Sequence, residues 1–264
     1  MSLKVKIKAD ASQFDRTMSK TKKSVRGFGK SLMGIKSALA GVALAMGAAF
    51  ATRKIFDFIA SSSQAASSVE SLTTQFATLL GSTEKAKERM EELTEFAAKT
   101  PFEIVGLART SKLLQMAGGN LLSTGDGLRL VGDAAALAGQ PLEEVGLHIG
   151  RVFSAITSAT SAGESVGRLQ ELGLITGAVK LQFEKFAASQ KKGEAATLSS
   201  AQALKLLQNV LSRSEGSMEK LANTTEGKMS MVNDAVFKVK SAFGTGFNDG
   251  LKVALDAMSN GIPK

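Results

Sequence analysis

The side chains that could carry chemistry are few in this sequence, and they do not converge on one site. The only histidine, His148, lies between Leu147 and Ile149 in an apolar helical pattern. A zinc site needs three or four ligands, and because cysteine is absent, only a carboxylate-rich metal site remains open. We therefore interpret His148 as a structural residue.

The paired acids and the serines do not suggest catalysis either. Glu91-Glu92 and Glu143-Glu144 are adjacent on predicted helices, where neighbouring side chains diverge by about 100°. Serine is plentiful but has no evident base partner, and Gly125-Asp126-Gly127 lacks the lysine and the strand of a phosphate-binding loop. The sequence therefore predicts that the chain is not an enzyme and that it holds no cofactor and no metal.

The composition predicts an all-α protein. Tyrosine, tryptophan and cysteine are absent, and only three prolines occur in 264 residues. No run of β-branched residues competes with helix formation. We predict a long N-terminal helix, coiled-coil-like and hydrophobic, followed by an irregular bundle of about eight helices joined by short turns.

The positive charge belongs to one segment. Residues 1–63 carry 12 Lys and Arg against three Asp, which accounts for the whole net charge of +9. Such a basic arm could contact nucleic acid, lipid headgroups or an acidic protein lumen, and a solvated helix face is the alternative. Nucleic acid is the less favoured partner, because no aromatic residues or base-reading motif accompany the charges.

The N-terminal residues predict a short strand and then a coiled-coil seam. Residues 3–8 alternate apolar residues with lysines, as a β-strand with one apolar face would, although a frayed terminus would read the same way. From Ser12 onward, apolar residues recur at alternating spacings of four and three, which predicts identical helices winding around one another in a homo-oligomer. Gly27 and Gly29 each cost about 1 kcal/mol in a helix, so this helix needs partners. The seam positions, interrupted only by the polar Thr21, are Phe14, Met18, Val25, Phe28, Leu32, Ile35, Leu39, Val42 and Met46.

An uncharged stretch follows at residues 37–52, between Lys36 and Arg53. It is shorter than the roughly 20 residues that span a bilayer, and it lies too far from the N-terminus for an ordinary signal peptide. Three interpretations remain open: a helix buried in an oligomeric bundle, an interfacial or marginal transmembrane segment, and a core helix of the monomer. The first would use small residues for close helix approach, namely Gly41, Ala45 and Ala49.

We place a hinge at Ser61-Ser62-Ser63, and hence a division into a basic arm, residues 1–63, and a helical body, residues 64–264. Within the body, helical periodicity predicts two sets of inward-facing residues. They are Leu128, Val131, Ala135 and Leu137 before Gly139, and Leu142, Val145, Ile149, Val152 and Phe153 after Pro141. Residues 260–263 do not resemble a capped helix end, which favours a longer native product.

Residues 100–103 predict an abrupt helix start. Thr100 can cap the free amides, Pro101 suits the first helical position, and Glu103, after Phe102, can close a capping box. The same helix should end at Gly118-Gly119.

Several stretches in a fixed order resemble one protein family. Residues 71–119 contain an apolar helix with a Phe, a Leu-Leu-Gly-Ser turn, a charged helix closing in Phe-Ala-Ala-Lys-Thr-Pro-Phe-Glu, and a helix ending in Gly-Gly. Residues 128–139 (LRLVGDAAALAG), 168–177 (RLQELGLITG) and 217–234 (SMEKLANTTEGKMSMVND) follow. Together they resemble the N-terminal conserved region of bacteriophage tail tape measure proteins, over about residues 1–250.

The resemblance implies a structural role. Helices of several copies would extend inside the tail tube, touch tube and tail-tip proteins, set the tail length and leave ahead of the DNA. The chain would lie in the virion tail lumen, in the host cytoplasm during assembly, and against the host membrane during delivery. Family members are usually very long, whereas 264 fully helical residues reach at most about 400 Å.

A membrane-active protein is the alternative function. Residues 37–59 would insert into a bilayer while the basic arm held anionic lipid. Flotation with anionic liposomes distinguishes the two functions, because a chain that stays at the bottom of the gradient at low salt is not membrane-active.

Overall fold

The computed structural model describes residues 48–192 and 196–260, and these residues are almost entirely helical. They form eleven α-helices and one 3₁₀ turn, with no β-strand among them. The predicted all-α class is therefore confirmed for this part of the chain. The predicted strand at residues 3–8 and the seam from Phe14 to Met46 lie outside the described residues.

Glycines and capping residues mark the ends of the helices. Gly81, Gly119 and Gly139 follow helix ends with positive φ, as the sequence predicts, and the Ser82 side chain accepts a hydrogen bond from the Lys85 amide at the next start. The helices are α1 (Ala48–Leu80), α2 (Thr83–Ala97), α3 (Ile104–Gly118), α4 (Asn120–Ser123), α5 (Gly125–Ala138), α6 (Leu142–Ser158), α7 (Gly163–Glu171), α8 (Gly177–Lys191), α9 (Ser200–Val210), α10 (Ser217–Ala222) and α11 (Thr225–Asn260). The 3₁₀ turn, Ser212–Ser214, lies between α9 and α10.

The described residues belong to two compact units, one of residues 71–235 and one of residues 48–70 with 236–260. The hinge expected at Ser61-Ser62-Ser63 is not present, because α1 is continuous from Ala48 to Leu80. Ser62 is fully buried in a helix contact, and this packing outweighs the modest helix propensity of serine. The division of the chain at residue 63 stays a prediction.

The 71–235 unit is built around α6, which packs against α3, α5, α7 and α9. All five inward positions predicted for α6 are buried, because they follow the helical period. On α5 the prediction fails at Leu137, which is 46 % exposed. Leu137 lies nine residues after Leu128, about 180° around the helix from the buried stripe that Leu128 belongs to.

In the other unit, α1 and α11 pack closely through small residues. A Cβ added at Gly244 would lie 1.9 Å from the Ser62 carbonyl oxygen and 3.0 Å from the Ala66 Cβ, so only glycine permits this approach. One turn further along, the Asn248 side-chain amide donates to the Ser63 carbonyl and to Ser67 Oγ, both at 3.1 Å. The Asn248 oxygen accepts from Ser63 Oγ at 2.6 Å, which satisfies this buried amide.

The two helices of this unit are parallel. Residues in contact across the two helices are separated by a nearly constant number of sequence positions, 185 for Ser63 with Asn248 and 182 for Glu70 with Lys252. Glu70 and Lys252 form an ion pair. In an antiparallel pair this separation would shrink steadily along the contact. The buried Asn248 fixes the register of the pair, as single buried asparagines do in coiled coils.

Candidate functional site: carboxylates and an arginine that join the helices

The helix predicted to start at Thr100 begins at Ile104 instead. Glu103 occupies the N-cap position without a side-chain cap bond, and Pro101 and Phe102 precede the helix, half-buried. Thr100 is buried, and its hydroxyl has no hydrogen-bond partner among the described residues. The capping box is therefore wrong, and the free amide at the start of α3 has another acceptor.

That acceptor is Asp234 on α11, 130 residues away. Its Oδ1 accepts a hydrogen bond from the Ile104 amide at 3.1 Å, and the residue is only 8 % exposed. Oδ2 has no hydrogen-bond partner within the described ranges. Burial raises the pKa of Asp234 above its ordinary value and Glu103 adds to this, while the bond from Ile104 opposes it.

Asp133 on α5 performs the same task for α10. Its Oδ1 accepts from the Met218 amide at 2.9 Å, across 85 residues of sequence, and Asp133 is also buried. Beside it, a Cβ at Gly132 would lie 2.7 Å from the Met218 sulfur and 3.4 Å from the Phe102 ring. The Met218 side chain therefore packs directly against Gly132, the residue before the capping Asp133.

These two caps belong to a motif that occurs twice. Thr124 and Thr224 precede α5 and α11, and each hydroxyl donates to a carbonyl of the preceding short helix. Three residues later, Gly127 and Gly227 lie so close to that helix that a Cβ would meet a carbonyl oxygen at 2.3 and 2.2 Å. The capping aspartate follows each glycine by six or seven residues. The two copies share only these few positions, so the sequence alone does not reveal the repeat.

Gly118 and Gly119 end α3 as the sequence predicts. Gly119 has φ +62°, which glycine adopts without strain. Gly118 serves packing, because a Cβ there would lie 2.7 Å from the ring of Phe153 on α6.

Arg89 joins α2 to the helices that follow it. The side chain is only 6 % exposed, although it lies in a highly charged stretch of the sequence. Its guanidinium donates to four side-chain oxygens of α3 and α4 at 2.9 to 3.4 Å, those of Ser111, Gln115, Asn120 and Ser123.

The remaining contacts of Arg89 are an ion pair and an aromatic ring. Nε lies 3.6 Å from Glu92, which is 64 % exposed, and the guanidinium carbon lies 5.8 Å from the centroid of Phe76. Burial lowers the pKa of Arg89 from its ordinary value, and Glu92 opposes this. Because neutral oxygens take up most of its donors, we interpret Arg89 as a buried connector of helices rather than an anion-binding site.

His148 contacts Ser165 between α6 and α7. Nδ1 lies 3.3 Å from Ser165 Oγ, which is the serine and base pair that the sequence did not reveal. Ser165 is only 1 % exposed, so its hydroxyl is out of reach of a substrate. Glu144 is also engaged, since it accepts hydrogen bonds from Arg168 Nε and Nη2 at 3.2 and 2.8 Å.

The lowered pKa of His148 makes the free energy of unfolding depend on pH in a definite direction. Burial lowers its pKa below the ordinary value and the positive charge of Arg151 adds to this, so the fold disfavours protonation. The free energy of unfolding should therefore fall as the pH drops from about 7.5 to 5.5, and level off below the folded pKa. Urea unfolding of the wild type and of His148→Gln measures this, since only the wild type carries the histidine contribution.

The histidine itself can be followed directly. Because His148 is the only histidine, its imidazole C–H resonance in an NMR titration needs no assignment. A midpoint above the ordinary histidine value, or a pH dependence that persists unchanged in His148→Gln, would contradict the prediction.

Within residues 48–192 and 196–260 no group of acidic and histidine side chains could hold a metal ion. No helix in this part of the chain is long and apolar enough to cross a membrane. No protein-family model, curated protein or solved structure matches the chain. Its function must therefore be inferred from its residues and their geometry.

Proposed function

We propose that this chain is a tail tape measure protein of a tailed phage or prophage-like particle, or the N-terminal part of one. The observation that carries the proposal is the ordered set of stretches at residues 71–119, 128–139, 168–177 and 217–234. Each stretch by itself is common in helical proteins, and their order along one chain is what resembles the family.

The contacts among these stretches support the proposal. Asp133, in residues 128–139, caps the helix that begins residues 217–234, and Asp234, in that last stretch, caps α3 in residues 71–119. The positions that carry the resemblance therefore include residues that join distant helices in one compact unit. All four stretches lie in this one unit, residues 71–235.

A geometric role suits the described helices. Within the described residues α1 has 33 residues and α11 has 36, about 50 Å each at a helical rise of 1.5 Å. In the mechanism we propose, copies of the chain associate through the seam from Phe14 to Met46, and tube subunits polymerise around them until the lengths match. The partners would be other copies of the chain, tube proteins and tail-tip proteins.

Tail length tests this function. Removing about four heptads of helix outside the seam from the complete gene should shorten the tail by about 42 Å. A duplication of the same heptads is the matched control and should lengthen the tail equally. Tail lengths would be measured by electron microscopy of purified particles, and tails of unchanged length in both variants would refute the ruler role.

A membrane-active protein stays the second candidate, and the uncharged residues 37–52 favour it. Residues 37–47 lie outside the described residues. The basic arm would supply attraction to anionic headgroups in that case.

A further inference from the structure

Residues 217–235, which we call the strap, are held to the rest of the 71–235 unit near both ends. Near the first end, the Met218 amide donates to Asp133 on α5 at 2.9 Å. Near the last end, the Asp234 carboxylate accepts from the Ile104 amide at the start of α3, at 3.1 Å. Both aspartates are buried, so each bond is shielded from water.

Between these two bonds the strap buries little apolar surface. Its buried hydrophobic side chains are Met218 and Ala222, both on α10. On the following turns of α11, Met229 is 58 % exposed and Val232 is 55 % exposed. By contrast, α6 buries Val145, Ile149, Val152 and Phe153 almost completely. Segments with few buried apolar contacts open before the core of a domain does.

The strap therefore depends on its two carboxylates more than on hydrophobic burial. A buried carboxylate is costly unless both oxygens are satisfied, and Oδ2 of Asp234 has no partner among the described residues. A core of leucines at the same place would hold the segment more firmly.

We propose that the strap detaches from α3 and α5 while the α3, α5 and α6 core stays folded, and that the Asp133 and Asp234 bonds control its release. Release would free the first turns of α11 and expose the two capped amides together with the carboxylates that cover them. The inference does not depend on the proposed function, because it rests only on contacts inside the 71–235 unit.

Hydrogen exchange of the wild-type full-length chain is the first test. Exchange would be measured at several denaturant concentrations below the unfolding transition. Amides of residues 217–235 should exchange through an opening that exposes less surface, and so depends less on denaturant, than the opening that exposes the amides of α6. We expect their protection to be at least about tenfold lower than that of α6. Equal protection of the strap and α6, with one common denaturant dependence, would overturn the proposal.

Truncating the carboxylates is the second test. Asp133→Ala and Asp234→Ala should each lower strap protection about tenfold and leave α6 within about twofold. Asp133→Asn and Asp234→Asn are the matched controls, because the amide oxygen can still accept the hydrogen bond, and they should keep most of the protection. Equal losses in the strap and in α6, or equal effects of Ala and Asn, would also overturn the proposal. If an Ala variant does not fold, the wild-type comparison still decides.

Discussion

Replacing Gly244 with alanine is expected to force α1 and α11 apart. The new Cβ would lie 1.9 Å from the Ser62 carbonyl oxygen, and a backbone atom cannot move aside as a flexible side chain can. Separation would also break the Asn248 hydrogen bonds one turn away. Overpacking of this kind costs about 3 kcal/mol. Hydrogen exchange at residues 62–67 and 244–248 measures the loss directly.

Gly167→Ala is the matched control for this prediction. Gly167 also lies within a helix, but a Cβ there has no atom within 4 Å. Alanine should therefore stabilise α7 by up to about 1 kcal/mol, since it has the higher helix propensity. The same substitution is therefore expected to lower stability at Gly244 and to raise it at Gly167. A neutral or stabilising Gly244→Ala would show that the helices are not in such close contact.

Arg89→Ala is expected to destabilise the 71–235 unit by about 3 kcal/mol, because it removes the donor to four side-chain oxygens and leaves a cavity beside Phe76. In a unit of this size the melting temperature should fall by about 6 to 12 °C. Thermal and urea unfolding of the full chain would measure both quantities.

Two further substitutions separate burial from charge at this position. Lys87→Ala removes an exposed cation two residues earlier on α2 and should change the free energy of unfolding by no more than about 0.5 kcal/mol. Arg89→Lys keeps the charge but not the planar fork of donors, so it should lose much of the stability that Arg89→Ala loses. Equal, small effects of Arg89→Ala and Lys87→Ala would mean that the buried network contributes nothing.

Local patterns predict the helices of this protein well, because their causes are local. The inward residues of α6 follow the helical period, and Gly119 and Gly139 end their helices by adopting positive φ. Leu137 was misplaced because it was judged by hydrophobicity rather than by its angle around α5. The seam from Phe14 to Met46 stays a prediction.

The residues that join the helices could not be predicted because their partners are distant in sequence. In the sequence, Asp133 and Asp234 look like ordinary polar residues, because their hydrogen-bond partners lie 85 and 130 residues away. Thr100 has the right type for a cap, yet Asp234 reaches the amide of Ile104 instead. Arg89 lies among acidic and basic neighbours, and only the packing of α3 and α4 shows that it is buried.

The parallel arrangement of α1 and α11 has a mechanical consequence. Tension applied through the chain before residue 48 and after residue 260 pulls these helices in opposite directions along their common axis. The hydrogen bonds of Asn248 and the Glu70–Lys252 ion pair are then loaded in shear and must yield together. Until they do, these contacts pass force directly between α1 and α11.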